Sequence, residues 1–306
     1  MKFIFLISLL LSLSSPSVFA KKRLSCLHPE ICLLMQDLVK NNSNFTITYP
    51  LSSTFDGHQL NLSLSDLKNI MDSEVIVLPP QEVYSFTRRI KNLANDSAAP
   101  KPLVIELEED IITAGLKDNY AIKDLTSKER HLRAHLSSFG EVLCAAQKKI
   151  VTTINKHYPQ ASLVQKDCPF SAWSKDIIQK LQSKSPLLFI STHGVFNHLV
   201  KAAQQQSMDI SFLSGHNEAN SGNMQEVKKT IETIDKHLAR DEKASILFVF
   251  DNPFQQERFL RLRPIQDKKR EFYLVLQQEG DFNHLKDEKT SYLLLNFLNK
   301  LKDIFP

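Results

Sequence analysis

Short apolar runs recur along the chain, and each ends in polar or turn-forming residues. The runs are five or six residues long, are rich in Ile, Val, Leu or Phe, and show little strict alternation. This pattern is typical of strands that are buried on both faces of a sheet. We predict strands over residues 45–49, 74–78, 102–107, 186–191, 245–250 and 272–276.

The segments between these runs carry apolar residues at helical spacing. We predict helices over residues 31–40, 65–71, 81–93, 136–156, 173–182, 195–204, 224–240, 255–260 and 290–302. Ser65 at the start of the second helix and Asp66 in its first turn favour helix initiation there. Strands that alternate with helices predict an α/β fold, in which mainly parallel sheets are flanked by helices.

The long segment 136–184 divides the chain, because three predicted strands precede it and three follow it. It is mostly helical, is rich in Lys and Gln, and is broken at Tyr158-Pro159. We therefore predict an N-terminal lobe over residues 21–135, a linking helical segment over 136–184, and a C-terminal lobe over 185–306. Ligands of open α/β sheets bind beyond the carboxyl ends of the strands, so we expect a ligand between the lobes.

The first twenty residues have the pattern of a secretory signal: Lys2, an apolar run over 3–13, and Val18-Phe19-Ala20 at the end. The apolar run of 11 residues is too short to span a bilayer, although an uncleaved anchor is the alternative. Cleavage after Ala20 would leave Lys21 first, whereas a bacterial lipoprotein needs Cys there. We expect a free periplasmic protein.

Composition and charge exclude several classes of protein. With 42% hydrophobic and 24% charged residues the chain is an ordinary globular one. Only 7 of its 306 residues are glycine, and it has neither a G-x-G-x-x-G nor a G-x-x-x-x-G-K-[ST] motif, which argues against a nucleotide-binding enzyme of those kinds. A net charge of +4, evenly spread, gives no indication of nucleic-acid binding.

The four cysteines are even in number, as an oxidising compartment allows, and three pairings are possible. Cys26 and Cys32 form a local pair, and Cys144 and Cys168 could bridge a helix to the following loop. A metal site of cysteines is disfavoured because no C-x-x-C occurs. We interpret all four as structural.

Two histidines lie where a ligand of an α/β sheet is expected: His58 in the loop after strand 45–49, and His193 directly after strand 186–191. His131 and His135 are four residues apart and would share a helix face. No Glu follows His131, so the zinc-protease H-E-x-x-H motif is absent. We leave open the role of His216 in the loop 215–218. We interpret the remaining histidines as ordinary surface or core residues: His28, His157, His198, His237 and His284.

Five segments, in order along nearly the whole mature chain, resemble the solute-binding proteins of bacterial zinc and manganese ABC importers. They are His58 with Ser65-Asp66 seven and eight residues on, His135-Leu136 before a long helix, Phe189 to Phe196 around Thr192-His193, Phe250-Asp251-Asn252-Pro253, and Thr290-Ser291-Tyr292. The resemblance implies two α/β lobes joined by a long helix. It also implies a divalent metal ion bound between them by His58, His135, His193 and a carboxylate, and delivery to a membrane permease.

The chain departs from this family around His135 and His193 and at the fourth ligand position. No His-rich loop precedes His135, residues 137–140 replace a Trp and a Pro, and Gly194 replaces the Asp that follows the third His. The fourth ligand is open: counting from the C-terminal motif gives Glu279, counting from the strand end gives Gln277, and Asp281 or water are further candidates.

Three neutral imidazoles and one oxygen suit tetrahedral Zn²⁺, whereas Mn²⁺ prefers more carboxylates. We therefore predict a monomeric, non-enzymatic binding protein that captures zinc and binds no nucleic acid. Two alternatives are a degenerate member that has lost metal binding and acts as an interaction protein, and a secreted zinc hydrolase. Asp56 and Asp251 are candidates to orient the ligands or to cap loops, and His131 either assists His135 or is exposed.

Overall fold

The computed structural model describes residues 21–42, 44–48, 62–97, 100–113, 130, 133–136, 139–192, 194–210, 224–276 and 292–305. Its strands are β1 Lys22–Cys26, β2 Phe45–Thr48, β3 Val75–Leu78, β4 Leu103–Glu106, β5 Leu187–Ser191, β6 Gln206–Asp209, β7 Ser245–Phe250 and β8 Glu271–Val275. Its helices are α1 Pro29–Val39, α2 Leu64–Met71, α3 Phe86–Asp96, α4 Glu109–Ile112, α5 Gly140–His157, α6 Phe170–Gln182, α7 Asn197–Ala202, α8 Met224–Arg240, α9 Pro253–Leu262 and α10 Leu293–Ile304.

Two four-stranded sheets organise these elements, in the orders β2-β1-β3-β4 and β6-β5-β7-β8. All strand pairs are parallel, and helices connect the strands. The predicted fold class is therefore confirmed. The central strands β3, β5 and β7 are buried at every position, which explains their continuous apolar sequence.

Two strands have no counterpart among the predicted ones. β1 begins with Lys22 and Arg23 and becomes buried only from Leu24 on, so it lacks a long apolar run. β6, Gln-Ser-Met-Asp, is an edge strand that pairs only with β5 and is largely exposed. Polar edge strands protect a sheet from pairing with other chains, and for the same reason they are hard to detect by hydrophobicity.

Helix α2 begins one residue before the predicted start, and its cap is Ser63, not Ser65. The Ser63 side chain accepts a hydrogen bond from the Asp66 backbone N–H, and the Asp66 carboxylate accepts one from the Ser63 backbone. This reciprocal capping box satisfies two backbone donors and fixes the start of the helix.

Both disulfides join the nearer cysteines: Cys26 with Cys32, and Cys144 with Cys168. The first ties the end of β1 to α1, and the second ties α5 to the loop before α6. One of the three possible pairings is therefore present, and the structural role expected for the cysteines is confirmed. Helices α5 and α6 lie within the segment predicted to link the lobes; the lobe boundaries themselves stay a prediction.

Helix α10 packs on α6 and also contacts the first lobe. The backbone N–H of Leu293, in its first turn, donates to the buried carboxylate of Glu30 in α1 over 2.9 Å. The Tyr292 hydroxyl donates to Asp37 over 2.8 Å, and burial together with this carboxylate raises the pKa of Tyr292. The last helix of the chain therefore connects both lobes.

One apolar cluster runs from the first sheet through α5, α6 and α10 to one face of the second sheet. A smaller cluster covers the other face of the second sheet; it contains Leu188, Ile190, Ile246, Phe248, Phe250 and Phe259. Among the described residues, no helix combines the length and the apolar character that crossing a membrane requires.

Candidate metal site

The carboxyl ends of the strands lead into the loops where the ligands were predicted. β2 precedes His58, β5 ends two residues before His193, and β8 ends four residues before Glu279. β5 and β8 belong to one parallel sheet and β2 to the other, and ligands of such sheets bind beyond the carboxyl ends of the strands. His58, His193 and Glu279 themselves lie outside the described residues, as do their alternatives and neighbours Gln277, Asp281, His131 and Asp56.

His135 is the one predicted ligand in the described part of the chain, and it is 2% exposed. The buried Arg133 anchors its segment: Nε donates to the Ile112 carbonyl at the end of α4, and Nη1 donates to Glu141 in α5 over 3.3 Å. Burial lowers the pKa of Arg133, while Glu141 opposes that shift. His135 is therefore a buried histidine in a segment that Arg133 anchors, which distinguishes it from a solvated surface histidine.

A stack of three side chains holds this segment against the second lobe. The Arg133 guanidinium lies 5.0 Å from the ring centre of Phe139. On the Phe139 ring, the His198 imidazole of α7 stacks at 3.7 Å with an interplanar angle of 13°. Phe139 is four residues after His135, and His198 is five residues after His193. The contact therefore joins the segments that follow two predicted ligands.

Hydrogen bonds connect the carboxyl ends of β5 and β7. Thr192 Oγ1 donates to Asp251 Oδ2 over 3.0 Å, and the Asp251 backbone N–H donates to Thr192 Oγ1 over 3.2 Å. The cap of α9 is Asn252, whose side chain accepts from Gln255 N over 2.9 Å. Asp251 therefore contacts Thr192, the residue before His193. The residue that caps α9 is Asn252 and not Asp251.

Asp209, at the end of β6, is a carboxylate at this edge that the sequence analysis missed. It accepts hydrogen bonds from Ser191 Oγ over 3.2 Å and from Asn197 Nδ2 over 2.9 Å. A Cβ at Gly194 would lie 2.9 Å from each of its carboxylate oxygens. Because β6 lacks an apolar run, no signal in the sequence marked Asp209 as the end of a strand.

Two histidines interpreted as ordinary have defined structural contacts. His28 is fully buried, caps α1 by accepting from Glu30 N over 3.2 Å, and lies edge-on to Tyr84. His237 Nε2 donates to the Ser245 carbonyl over 3.2 Å. Within the described part of the chain, no three His, Cys, Asp or Glu side chains gather as a metal site. The described residues therefore offer no second candidate metal site.

The sequence matches no protein family model, and no curated protein matches it. Solved structures do share its fold. YcdH, a metal-dependent lipoprotein from Bacillus subtilis, is similar with a TM-score of 0.64 and 15% identity over 92% of this chain and 98% of that chain. A Zn(II)-bound variant of AdcAII from Streptococcus pneumoniae has a TM-score of 0.60 and 13% identity over 93% and 98%.

The solute-binding protein FpvC from Pseudomonas aeruginosa, in complex with Ni²⁺, has a TM-score of 0.60 and 17% identity over 93% of this chain and 97% of that chain. The same protein was solved with Mn²⁺. At these identities the comparison concerns the arrangement of the backbone. This chain has the two-lobed fold of these proteins along nearly all of its length.

Proposed function

We propose that this protein is an extracytoplasmic solute-binding protein that captures a divalent metal ion and delivers it to the permease of an ABC importer. The observation that carries the proposal is the stack of Phe139 on His198, because it joins the segments that follow His135 and His193. The fold supports it further, since proteins of the same fold were solved with Zn²⁺, Ni²⁺ and Mn²⁺.

The proposed ligands are His58, His135, His193 and Glu279, with Asp281 or water as alternatives to Glu279. Three imidazoles favour zinc, which binds nitrogen ligands at about 2.0–2.1 Å in tetrahedral sites. Manganese prefers oxygen ligands, so we expect weaker Mn²⁺ binding. The protein acts by binding and release, not by catalysis.

The proposed location is the periplasm, after cleavage of the signal peptide behind Ala20. The mature chain then begins at Lys21 and acts as a monomer that docks on the permease.

Titration of the metal-free mature protein with zinc, in competition with a chromophoric chelator, tests the proposal. We expect one zinc ion per chain and a strong loss of affinity in a His58→Ala/His135→Ala/His193→Ala variant, because the remaining carboxylate cannot hold zinc alone. The matched control is His157→Ala, since His157 is exposed at the end of α5 and lies outside the proposed site. A triple variant that binds zinc as tightly as the wild type would overturn the proposal. A wild type that binds zinc only at trace level would favour the degenerate interaction protein.

A further inference from the structure

Helix α9 has an inner face that packs on the second sheet and an outer face that is exposed. On the inner face Gln255 and Phe259 are buried, and the Phe259 ring lies 5.0 Å from the ring of Phe248 in β7. On the outer face Phe254 and Arg258 are four residues apart and therefore neighbours on the same side of the helix. The sheet holds the helix by one face, and the other face is in contact with solvent.

Large apolar side chains are concentrated on this exposed surface. Phe254 is 71% exposed, Leu262 at the end of the same helix is 42% exposed, and Ile265 in the following loop is 41% exposed. They are three of the six large apolar side chains that are exposed in the described part of the chain, and they lie within twelve residues of one another. Single exposed apolar residues are ordinary, but a group of them indicates a surface that contacts a partner.

Basic side chains surround these apolar ones. Glu257 and Asp267, the two acidic residues of segment 253–270, form ion pairs with Arg261 and Arg270. Although the net charge of the whole chain is only +4, this surface is locally basic, so the even spread of charge expected from the sequence does not hold here. We call the exposed apolar and basic residues together the α9 face: Phe254, Arg258, Arg261, Leu262, Ile265, Lys268 and Lys269.

We propose that the α9 face binds the surface of a bilayer that contains anionic phospholipids. The three apolar side chains enter the boundary between headgroups and acyl chains, and the basic side chains reach the lipid phosphates. Helices that lie on membranes combine apolar residues with Lys and Arg in this way. With ten residues α9 lies along the surface, because a helix that crosses a bilayer needs about 20. The proposal goes beyond metal capture and does not depend on the metal ligands.

The mixed character of the α9 face favours a lipid surface over a protein partner. Arg258 lies between Phe254 and Leu262 along the helix, so the apolar side chains do not form the continuous apolar centre of a protein interface. Lysine is depleted from protein interfaces but is favoured at anionic membranes, and Lys268 and Lys269 follow Ile265 closely. A second copy of the chain fits poorly, because two basic faces repel each other.

Sedimentation of the mature protein with vesicles, in a buffer that contains a metal chelator, tests this proposal. We expect binding to vesicles of phosphatidylglycerol mixed with phosphatidylcholine and none to phosphatidylcholine alone. High salt should release the protein, since about 1 M salt shortens the Debye length to about 3 Å. Phe254→Ala should weaken binding by about tenfold or more, because the ring no longer leaves water. Arg258→Gln/Lys269→Gln should weaken it by roughly fivefold for each charge removed.

Each variant has a matched control that makes the same change elsewhere on the surface. Val164→Ala removes part of an apolar side chain that is 74% exposed between α5 and α6. Lys148→Gln/Lys175→Gln removes one exposed charge from α5 and one from α6, so its net charge equals that of the double variant of the α9 face. Both controls should bind the vesicles as the wild type does. Far-ultraviolet circular dichroism checks that all variants are folded.

Three results would overturn the proposal. The first is a wild-type protein that does not sediment with phosphatidylglycerol vesicles; if it then binds poly-glutamate, the α9 face belongs to an acidic protein segment. The second is equal weakening by the two double variants, because the attraction would then follow net charge and not this surface. The third is a Phe254→Ala variant that binds as tightly as the wild type, because the apolar side chains would then stay outside the bilayer. The zinc titration uses no lipid, so its outcome is independent of all three.

Discussion

Three described histidines outside the proposed ligand set make defined contacts, and each contact follows from local surroundings. His28 caps a helix, His198 stacks on Phe139, and His237 connects α8 to the start of β7. The sequence predicts ordinary residues at all three positions, because nothing in it distinguishes an exposed imidazole from a buried one. Burial and a hydrogen-bond partner, more than the residue type, decide what each of them contributes.

His237 predicts a specific pH dependence of stability. Burial lowers its pKa below the ordinary value of 6.5, and the hydrogen bond to Ser245 only partly opposes this. Because the unfolded chain then binds the proton more readily than the folded one, the contribution of His237 is complete above about pH 6.5 and is lost as the pH falls below it.

We expect the free energy of unfolding of the metal-free protein to fall less steeply from pH 7.5 to pH 5.5 in His237→Gln than in the wild type. Urea unfolding in the presence of a chelator measures it. His157→Gln, at an exposed site, should follow the wild type. Identical pH profiles for the wild type and His237→Gln would contradict the interpretation.

At the scale of elements, strands with long apolar runs could be predicted from the sequence, and strands without them could not. β7 coincides with its predicted range, as does helix α8. β1 and β6 were missed because one begins with two charges and the other is an exposed edge. Because β6 was not predicted, Asp209 could not be recognised as the residue at the end of a strand.

An ion pair buried at the end of α9 connects three elements of the second lobe. Arg263 donates to both carboxylate oxygens of Glu271 at the start of β8, over 2.8 and 3.0 Å, and to Asp235 in α8 over 3.3 Å. Burial by itself would raise the pKa of Glu271, but the hydrogen bonds from Arg263 and Tyr273 outweigh it and lower that pKa. The carboxylate is therefore charged and depends on its partner.

Arg263→Met should destabilise the protein by about 3–5 kcal/mol, because it leaves Glu271 buried without its counter-charge. The control is Arg261→Met two residues earlier, where an exposed pair with Glu257 contributes less than about 1 kcal/mol. Urea unfolding measures both, and Arg263→Met/Glu271→Gln should recover part of the loss if the first variant folds poorly. Equal losses of unfolding free energy from Arg263→Met and Arg261→Met would contradict this prediction, because they would show that the buried pair stabilises the protein no more than the exposed pair does.

At the scale of the whole molecule, the shared core predicts how the two lobes unfold. The apolar cluster that passes through α5, α6 and α10 includes residues of both sheets, and α10 is bonded to α1. Trp173, the single tryptophan, lies in α6 and contacts Phe170 and Tyr292 at ring distances of 5.3 and 5.8 Å. Its fluorescence therefore reports on the junction of the lobes, whereas far-ultraviolet circular dichroism reports on all helices.

We expect a single unfolding transition, with coincident midpoints for Trp173 fluorescence and circular dichroism, because the larger apolar cluster of the described residues is shared by both sheets. Zinc, if it binds only the folded protein, should shift both midpoints together, by an amount that grows with the logarithm of its concentration above the dissociation constant. Tyr292→Phe removes the bond to Asp37 and should lower both midpoints equally, whereas a change at Lys243, an exposed loop residue, should lower neither. Two separated midpoints, or a zinc shift confined to one probe, would mean that the lobes unfold independently and that the continuous core does not couple them.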